Sequence, residues 1–310
     1  MSRSVAVFFC LTLVLAVPEA HADGQAAGRI APIKFATEVP LLDCDGTPCI
    51  EARIGEGKVL KMGIDTGNVD SVVDTAVAEA AGLKPKAALP AGAPPGMFQT
   101  SIPTVSVGTV RLTNVPALSL GLGNMISQNQ MPKVDGTLAY TAFKNRVVQM
   151  DFVGHKFRIS EILAEPTVCA GMCDKISLIK FGNDGPPIVV ADGFEVNGKK
   201  VTAQVDTMYT GSLLVYSKSI DTLGLTQAAT TEKTRDFPLT DGGVKMKEAP
   251  SQKETFHGTV LGVTDTDIYF PTPDVHEPDG LFDATVGLEL FYGSTLTLNF
   301  HDMTITIEKP

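Results

Sequence analysis

Asp65 and Asp206 each end an apolar run and begin a turn. The surrounding residues are Gly63-Ile64-Asp65-Thr66-Gly67 in the first half of the chain and Gln204-Val205-Asp206-Thr207-Met208 in the second. They are the only acidic pair at equivalent strand-to-turn boundaries in the two halves. Two carboxylates held close together cannot both ionise cheaply, so they share a proton and titrate as a pair. One can then act as general base on a water while the other, protonated, polarises a carbonyl. That chemistry needs neither metal nor cofactor nor nucleophilic side chain, and none is expected. An Asp-Thr pair also folds a tight turn by bonding its own backbone, a purely structural use of the same residues. GxSxG, HExxH, a Walker loop and a GxGxxG after a strand are all absent.

The elements that must position the two carboxylates repeat along the chain. Val59 to Leu83 and Val201 to Leu225 each read as a strand ending in Asp-Thr, a turn and a second apolar strand. A short helix follows, closed by Gly82-Leu83 or Gly224-Leu225. Further on, Asp135 to Ile159 aligns without a gap on Asp283 to Ile307. The alignment pairs Asp135 with Asp283, Phe143 with Phe291, Phe152 with Phe300 and Ile159 with Ile307. The last dozen residues of each run alternate apolar and polar, the period of a strand. Two homologous lobes, predominantly β, are therefore predicted.

Each half resembles a lobe of the aspartic peptidases of the pepsin and retropepsin superfamily. Such lobes pair an apolar-apolar-Asp-Thr-Gly motif with a later apolar-apolar-Gly motif. Gly136-Thr137-Leu138-Ala139 approximates the second motif in lobe one, and Ala284-Thr285-Val286-Gly287 supplies it in lobe two. The resemblance covers nearly all of the chain after its N-terminal segment. It implies an all-β acid-protease fold, two β-barrel lobes with a cleft between them, and an aspartic endopeptidase that takes an extended peptide or protein substrate. Asp65 and Asp206 would be catalytic, with Thr66, Gly67 and Thr207 supporting them. Thr66 and Thr207 would tie the two turns together through hydroxyl-to-backbone bonds. Leu138, Ala139, Val286 and Gly287 would back the turns from the second motif. The resemblance also implies a flap over the cleft. Candidates are Gly92 and Gly96 in the segment Pro90 to Met97, ahead of a strand-rich stretch from Thr104 to Leu120, and Gly242 and Gly243 in lobe two.

Three residues depart from the family pattern. Met208 stands where a small residue is usual, and Thr210-Gly211-Ser212 offers a turn in a shifted register. Ala139 replaces a glycine, and Asn68 follows the first triplet in place of Ser or Ala. Met208 makes the alternative function a catalytically silent fold of this type that binds peptide or protein in its cleft. A homodimer pairing two Asp65 turns fits less well, because lobe two keeps Asp206, Thr207 and Gly287, so a monomer is expected.

Composition agrees with this reading. The 310 residues carry 25 basic and 35 acidic side chains, a formal charge of −10 and a pI near 5.0, which excludes nucleic acid as the main partner. A chain with 29 Gly, 20 Pro and no Trp is turn-rich and leans toward all-β. Arg3, the apolar run Val5 to Val17 and the small residues of Ala20-His21-Ala22 read as a signal peptide over residues 1–22. The product is expected to be exported, periplasmic or secreted, and not inserted in a membrane after signal cleavage. The remaining organisation reads as an extension over 23–35, lobe one over 36–163, a linker over 164–167 and lobe two over 168–310. After loss of Cys10, four cysteines remain. Three pairings are possible, and the local pairs Cys44–Cys49 and Cys169–Cys173 are the simplest. A four-thiolate zinc site is the rival reading, disfavoured by export and the lack of a CxxC.

Overall fold

The computed structural model describes residues 33–86, 96–123, 132–164, 167, 173–180, 187–228, 234–236, 245–269 and 281–310. Lobe one runs through β1 (Phe35–Pro40), β2 (Leu42–Asp43), β3 (Pro48–Ile54), β4 (Val59–Asp65), β5 (Ser71–Asp74), helix α1 (Thr75–Ala80), β6 (Phe98–Val107), β7 (Val110–Leu120), β8 (Gly136–Ala139), β9 (Val147–Asp151) and β10 (Lys156–Ser160). Lobe two follows with β11 (Cys173–Lys180), β12 (Pro187–Val196), β13 (Lys199–Val205), β14 (Leu213–Val215), α2 (Ile220–Leu223), β15 (Thr234–Asp236), β16 (Lys245–Phe256), β17 (Thr259–Tyr269), β18 (Ala284–Val286), α3 (Leu288–Phe291), β19 (Thr295–Asn299) and β20 (Thr304–Glu308).

In lobe one the ladder β3-β4-β8-β5-β7-β6 closes on itself through pairing of β3 with β6. Lobe two repeats it strand for strand as β12-β13-β18-β14-β17-β16, closed by β12 and β16. Each lobe is thus a closed six-stranded barrel, which leaves no open edge in its ring. The strand carrying the Asp lies parallel to the second-motif strand in both lobes, β4 beside β8 and β13 beside β18.

The repeated aspartates explain that pairing. Asp135 accepts from the backbone N–H of Lys61 at 2.8 Å, and Asp283 accepts from that of Thr202 at 2.8 Å. Each Asp also donates its own backbone N–H to the carbonyl of the same residue. The short helices end alike too. Gly82 and Gly224 take left-handed φ values of 67° and 77°, and Leu83 and Leu225 donate back to Ala78 and Ile220. This is the glycine-terminated helix end expected from the sequence.

The lobes meet in a sheet ordered β1-β10-β9-β19-β20-β11. At its centre Gln149 pairs with Thr297, its own counterpart in the aligned repeat, and their side chains bond at 2.9 Å. The pseudo-two-fold axis therefore passes between these two residues. Beneath the sheet, Phe143 and Phe291 are fully buried, and Phe143 stacks on Phe300 with ring centroids 6.5 Å apart. Each side chain of this size taken out of water contributes about 1.5–3 kcal/mol, so the core stitches the lobes together.

Candidate active site

The same axis leads to the two Asp-Thr turns. Asp65 is the last residue of β4, and Asp206 follows the end of β13. The threonines that come next reach across the interface. Thr66 donates its hydroxyl to the Val205 carbonyl at 2.7 Å, and Thr207 donates its own to the Ile64 carbonyl at 2.5 Å. In return the Thr66 N–H meets the Thr207 hydroxyl at 3.3 Å and the Thr207 N–H meets the Thr66 hydroxyl at 3.1 Å. Both threonines are fully buried, so four backbone groups that would otherwise be stranded from water are satisfied by the opposite lobe.

The carboxylates flank Gly67. Its N–H donates to Asp65 Oδ1 at 3.2 Å, while a Cβ added to Gly67 would fall 2.3 Å from Cγ of Asp206. Only a residue without a side chain leaves space for Asp206 there. Asn68 donates its amide to the other oxygen of Asp65 at 2.7 Å. Asp206 Oδ1 accepts from the N–H groups of Met208 at 2.8 Å and Tyr209 at 3.1 Å. Asp65 is only 3% exposed. Burial pushes its carboxyl up from the ordinary carboxylate value, and the charge of Asp206 pushes it further, to about 7. Burial raises Asp206 as well, against the two backbone donors that favour its ionised form. Neither acid ionises freely, as expected of a pair that shares a proton.

Most of the expected site residues converge on this point. Ile64 and Asp65 of β4 pair with Leu138 and Ala139 of β8, and Val205 pairs with Val286. The Ala139 N–H donates to the Ser71 hydroxyl at 3.1 Å. Gly287 is held to glycine by Tyr209: a Cβ there would lie 2.4 Å from the tyrosine Cδ1 and 2.2 Å from the Gly211 carbonyl. Lobe one has Asn68 where lobe two has Tyr209, and it carries the methyl of Ala139 in the corresponding place. Gly96 precedes β6 in a left-handed turn with φ 80°, whereas Gly92, Gly242 and Gly243 lie outside the described residues. Cys44 and Cys49 form a disulfide, which removes them from any zinc site. Cys173 is disulfide-bonded, and Cys169, its expected partner, lies outside the described residues.

One expectation needs correction. The turn after Asp206 does not shift register to Thr210-Gly211-Ser212, because the Met208 N–H bonds Asp206 just as the Gly67 N–H bonds Asp65. The Met208 side chain crosses to lobe one instead, and its sulfur would lie 3.1 Å from a Cβ placed on Gly63. The sequence reading also missed Gln204, whose amide donates to the Gly67 carbonyl at 3.1 Å. Comparing the two motifs residue by residue would have found it, since Gln204 stands opposite Gly63 in the repeat.

With that geometry in place, the chain can be set beside known proteins. The family model for aspartyl proteases matches residues 50–141, the segment that holds Asp65, Thr66, Gly67 and the second motif of lobe one. The chain is also similar to the aspartic proteinase from Irpex lacteus, at 10% identity and a TM-score of 0.47, over 88% of this chain and 97% of that one. No curated protein matches the chain. The resemblance to the aspartic peptidase superfamily holds: lobe one matches its model, and lobe two repeats the same closed barrel and the same turn.

Proposed function

We propose that this chain is an aspartic endopeptidase that hydrolyses peptide bonds in extended substrates with a water activated between Asp65 and Asp206. The observation that carries the reading is the position of Gly67, bonded to one carboxylate and closed against the other. A water bound by such a pair loses a proton to the ionised carboxylate as its oxygen attacks the scissile carbonyl. The protonated carboxyl meanwhile donates to the carbonyl oxygen, giving a tetrahedral intermediate without a covalent enzyme adduct. Collapse of that intermediate returns a proton to the leaving amine and breaks the C–N bond.

The division into lobes over 36–163 and 168–310, a working monomer and export after removal of residues 1–22 belong to the same proposal. The Cys44–Cys49 disulfide supports export, and no described helix is long and apolar enough to cross a membrane. Incubating the purified protein with a mixed peptide library from pH 3 to 8 tests the function. Cleavage inside peptides, blocked by a statine-type mimic of the tetrahedral intermediate, is the expected result. A folded protein that binds the mimic and cleaves nothing would replace this reading with a silent peptide binder.

A further inference from the structure

The two turns are related by the repeat but are not built from the same sizes of residue. Lobe one places glycine at positions 63 and 67, two before and two after its Asp. Lobe two places Gln204 and Met208 there. Across the interface each long side chain of lobe two meets a glycine of lobe one. Gln204 reaches the Gly67 carbonyl, and its own Oε1 accepts from Thr285, whose hydroxyl bonds Tyr216 at 2.9 Å. Met208 lies over Gly63, where an added Cβ would be 3.1 Å from its sulfur and 3.6 Å from its Cε, beside the Thr137 methyl.

We infer that Gly63 and Met208 are a size-exchanged pair that positions the Asp206 turn, and that Gly63 is what allows a long residue to follow Asp206-Thr207. Met208 carries the Cβ that Gly67 lacks, so Asp65 cannot take, beside residue 208, the place that Asp206 takes beside Gly67. The dyad is built asymmetric, and the thioether must leave toward lobe one. Gly63 provides the space it enters. A β-branched side chain at 63 would place its Cβ 3.1 Å from the sulfur and add two γ-carbons to a space that is already tight, crowding Met208 and moving the N–H groups that hold Asp206 Oδ1. The pairing also makes the lobes specific for each other. Two copies of lobe one would oppose glycine to glycine, and two copies of lobe two would oppose Gln204 to Met208. Both knobs come from one lobe and both sockets from the other.

The catalytic part of this inference rests on the peptidase reading, and the test separates the two. Gly63→Ile, Met208→Gly and the double variant would be compared with wild type for kcat, KM, pH profile and thermal unfolding. Gly63→Ala serves as the milder change should Gly63→Ile not fold. The expected result is a loss on the order of 100-fold in kcat for Gly63→Ile with KM little changed, since a turn displaced by about 1 Å misplaces a reacting carboxylate. At least about ten-fold of that loss should return in the double variant, with the alkaline limb of the pH profile restored. Unfolding midpoints should be non-additive in the same sense, a readout that needs no catalysis. Non-additive midpoints in a wild type that cleaves nothing would sustain the pair and overturn the peptidase reading. A folded Gly63→Ile protein with wild-type kcat and pH profile would overturn the pair. So would a double variant no better than Gly63→Ile in both cleavage and midpoint.

Discussion

Thr66 and Thr207 hold each other's turns: the hydroxyl of each accepts from the other's backbone N–H and donates to the carbonyl ahead of the other's aspartate. Replacing Thr207 by isosteric Val leaves the Thr66 N–H and the Ile64 carbonyl buried without partners. Each such orphan costs about 1–3 kcal/mol, so Thr207→Val should lose roughly 2–6 kcal/mol and most of its cleavage. Thr207→Ser, which keeps the hydroxyl, should stay within about 1 kcal/mol of wild type. Urea unfolding of the two variants side by side checks this.

Asp65 gives the protein a stability that depends on pH in a definite direction. Its folded carboxyl titrates near 7, above the ordinary value of 3.8, so the native state binds the proton more tightly than the unfolded chain does. Stability contributed by the protonated form is fully present below about pH 4 and is lost as pH rises through 7. Asp65→Asn removes the ionisation and should flatten that fall. The variant should gain on the order of 2–4 kcal/mol relative to wild type between pH 4 and pH 8. Melting temperatures across that range measure it. A wild type whose stability rises with pH while Asp65→Asn does not would contradict the assignment.

Asn68 bonds the ionised form of Asp65 and so opposes the upward push of burial. In Asn68→Ala the Asp65 carboxyl should rise further, moving the alkaline limb of the kcat/KM profile to higher pH while the maximal rate falls. A limb that moves to lower pH would show that Asn68 acts on some other group.

Gly67→Ala is expected to be far more damaging than its one added methyl suggests. The new Cβ would stand 2.3 Å from Cγ of Asp206, where something must shift. Overpacking of this kind costs about 1–3 kcal/mol in stability. The displaced carboxylate should cost on the order of 100-fold or more in kcat. Steady-state kinetics beside a melt separates the two effects.

The architecture was legible because the chain states it twice. The recurrence of Asp-Thr, the Gly-Leu helix ends and the gapless run from Asp135 or Asp283 all reflect backbone needs that both barrels share. Asp135 and Asp283 pin the parallel strands, and Gly82 and Gly224 take left-handed turns that other residues resist. The consequence of Met208 was not legible from its own turn, because its contact is with Gly63 on the other lobe. Sequence spacing conveys which residues precede and follow an aspartate; it does not convey which glycine lies across an interface. Ala139 reads as a defect in the motif for the same reason, since what forbids a methyl at Gly287 is the Gly211 carbonyl together with the ring and carbonyl of Tyr209, and lobe one has Asn68 where lobe two has that tyrosine.

The central claim is that Asp65 and Asp206 act as one catalytic pair. Its most direct test is cleavage of a single fluorogenic peptide, drawn from the library hits, by wild type, Asp65→Asn and Asp206→Asn, each confirmed folded by its melt. Either substitution alone should remove cleavage by several orders of magnitude, because each carboxyl is needed in its own protonation state. Retention of near-wild-type cleavage by Asp206→Asn would contradict it and assign the chemistry to Asp65 without its partner.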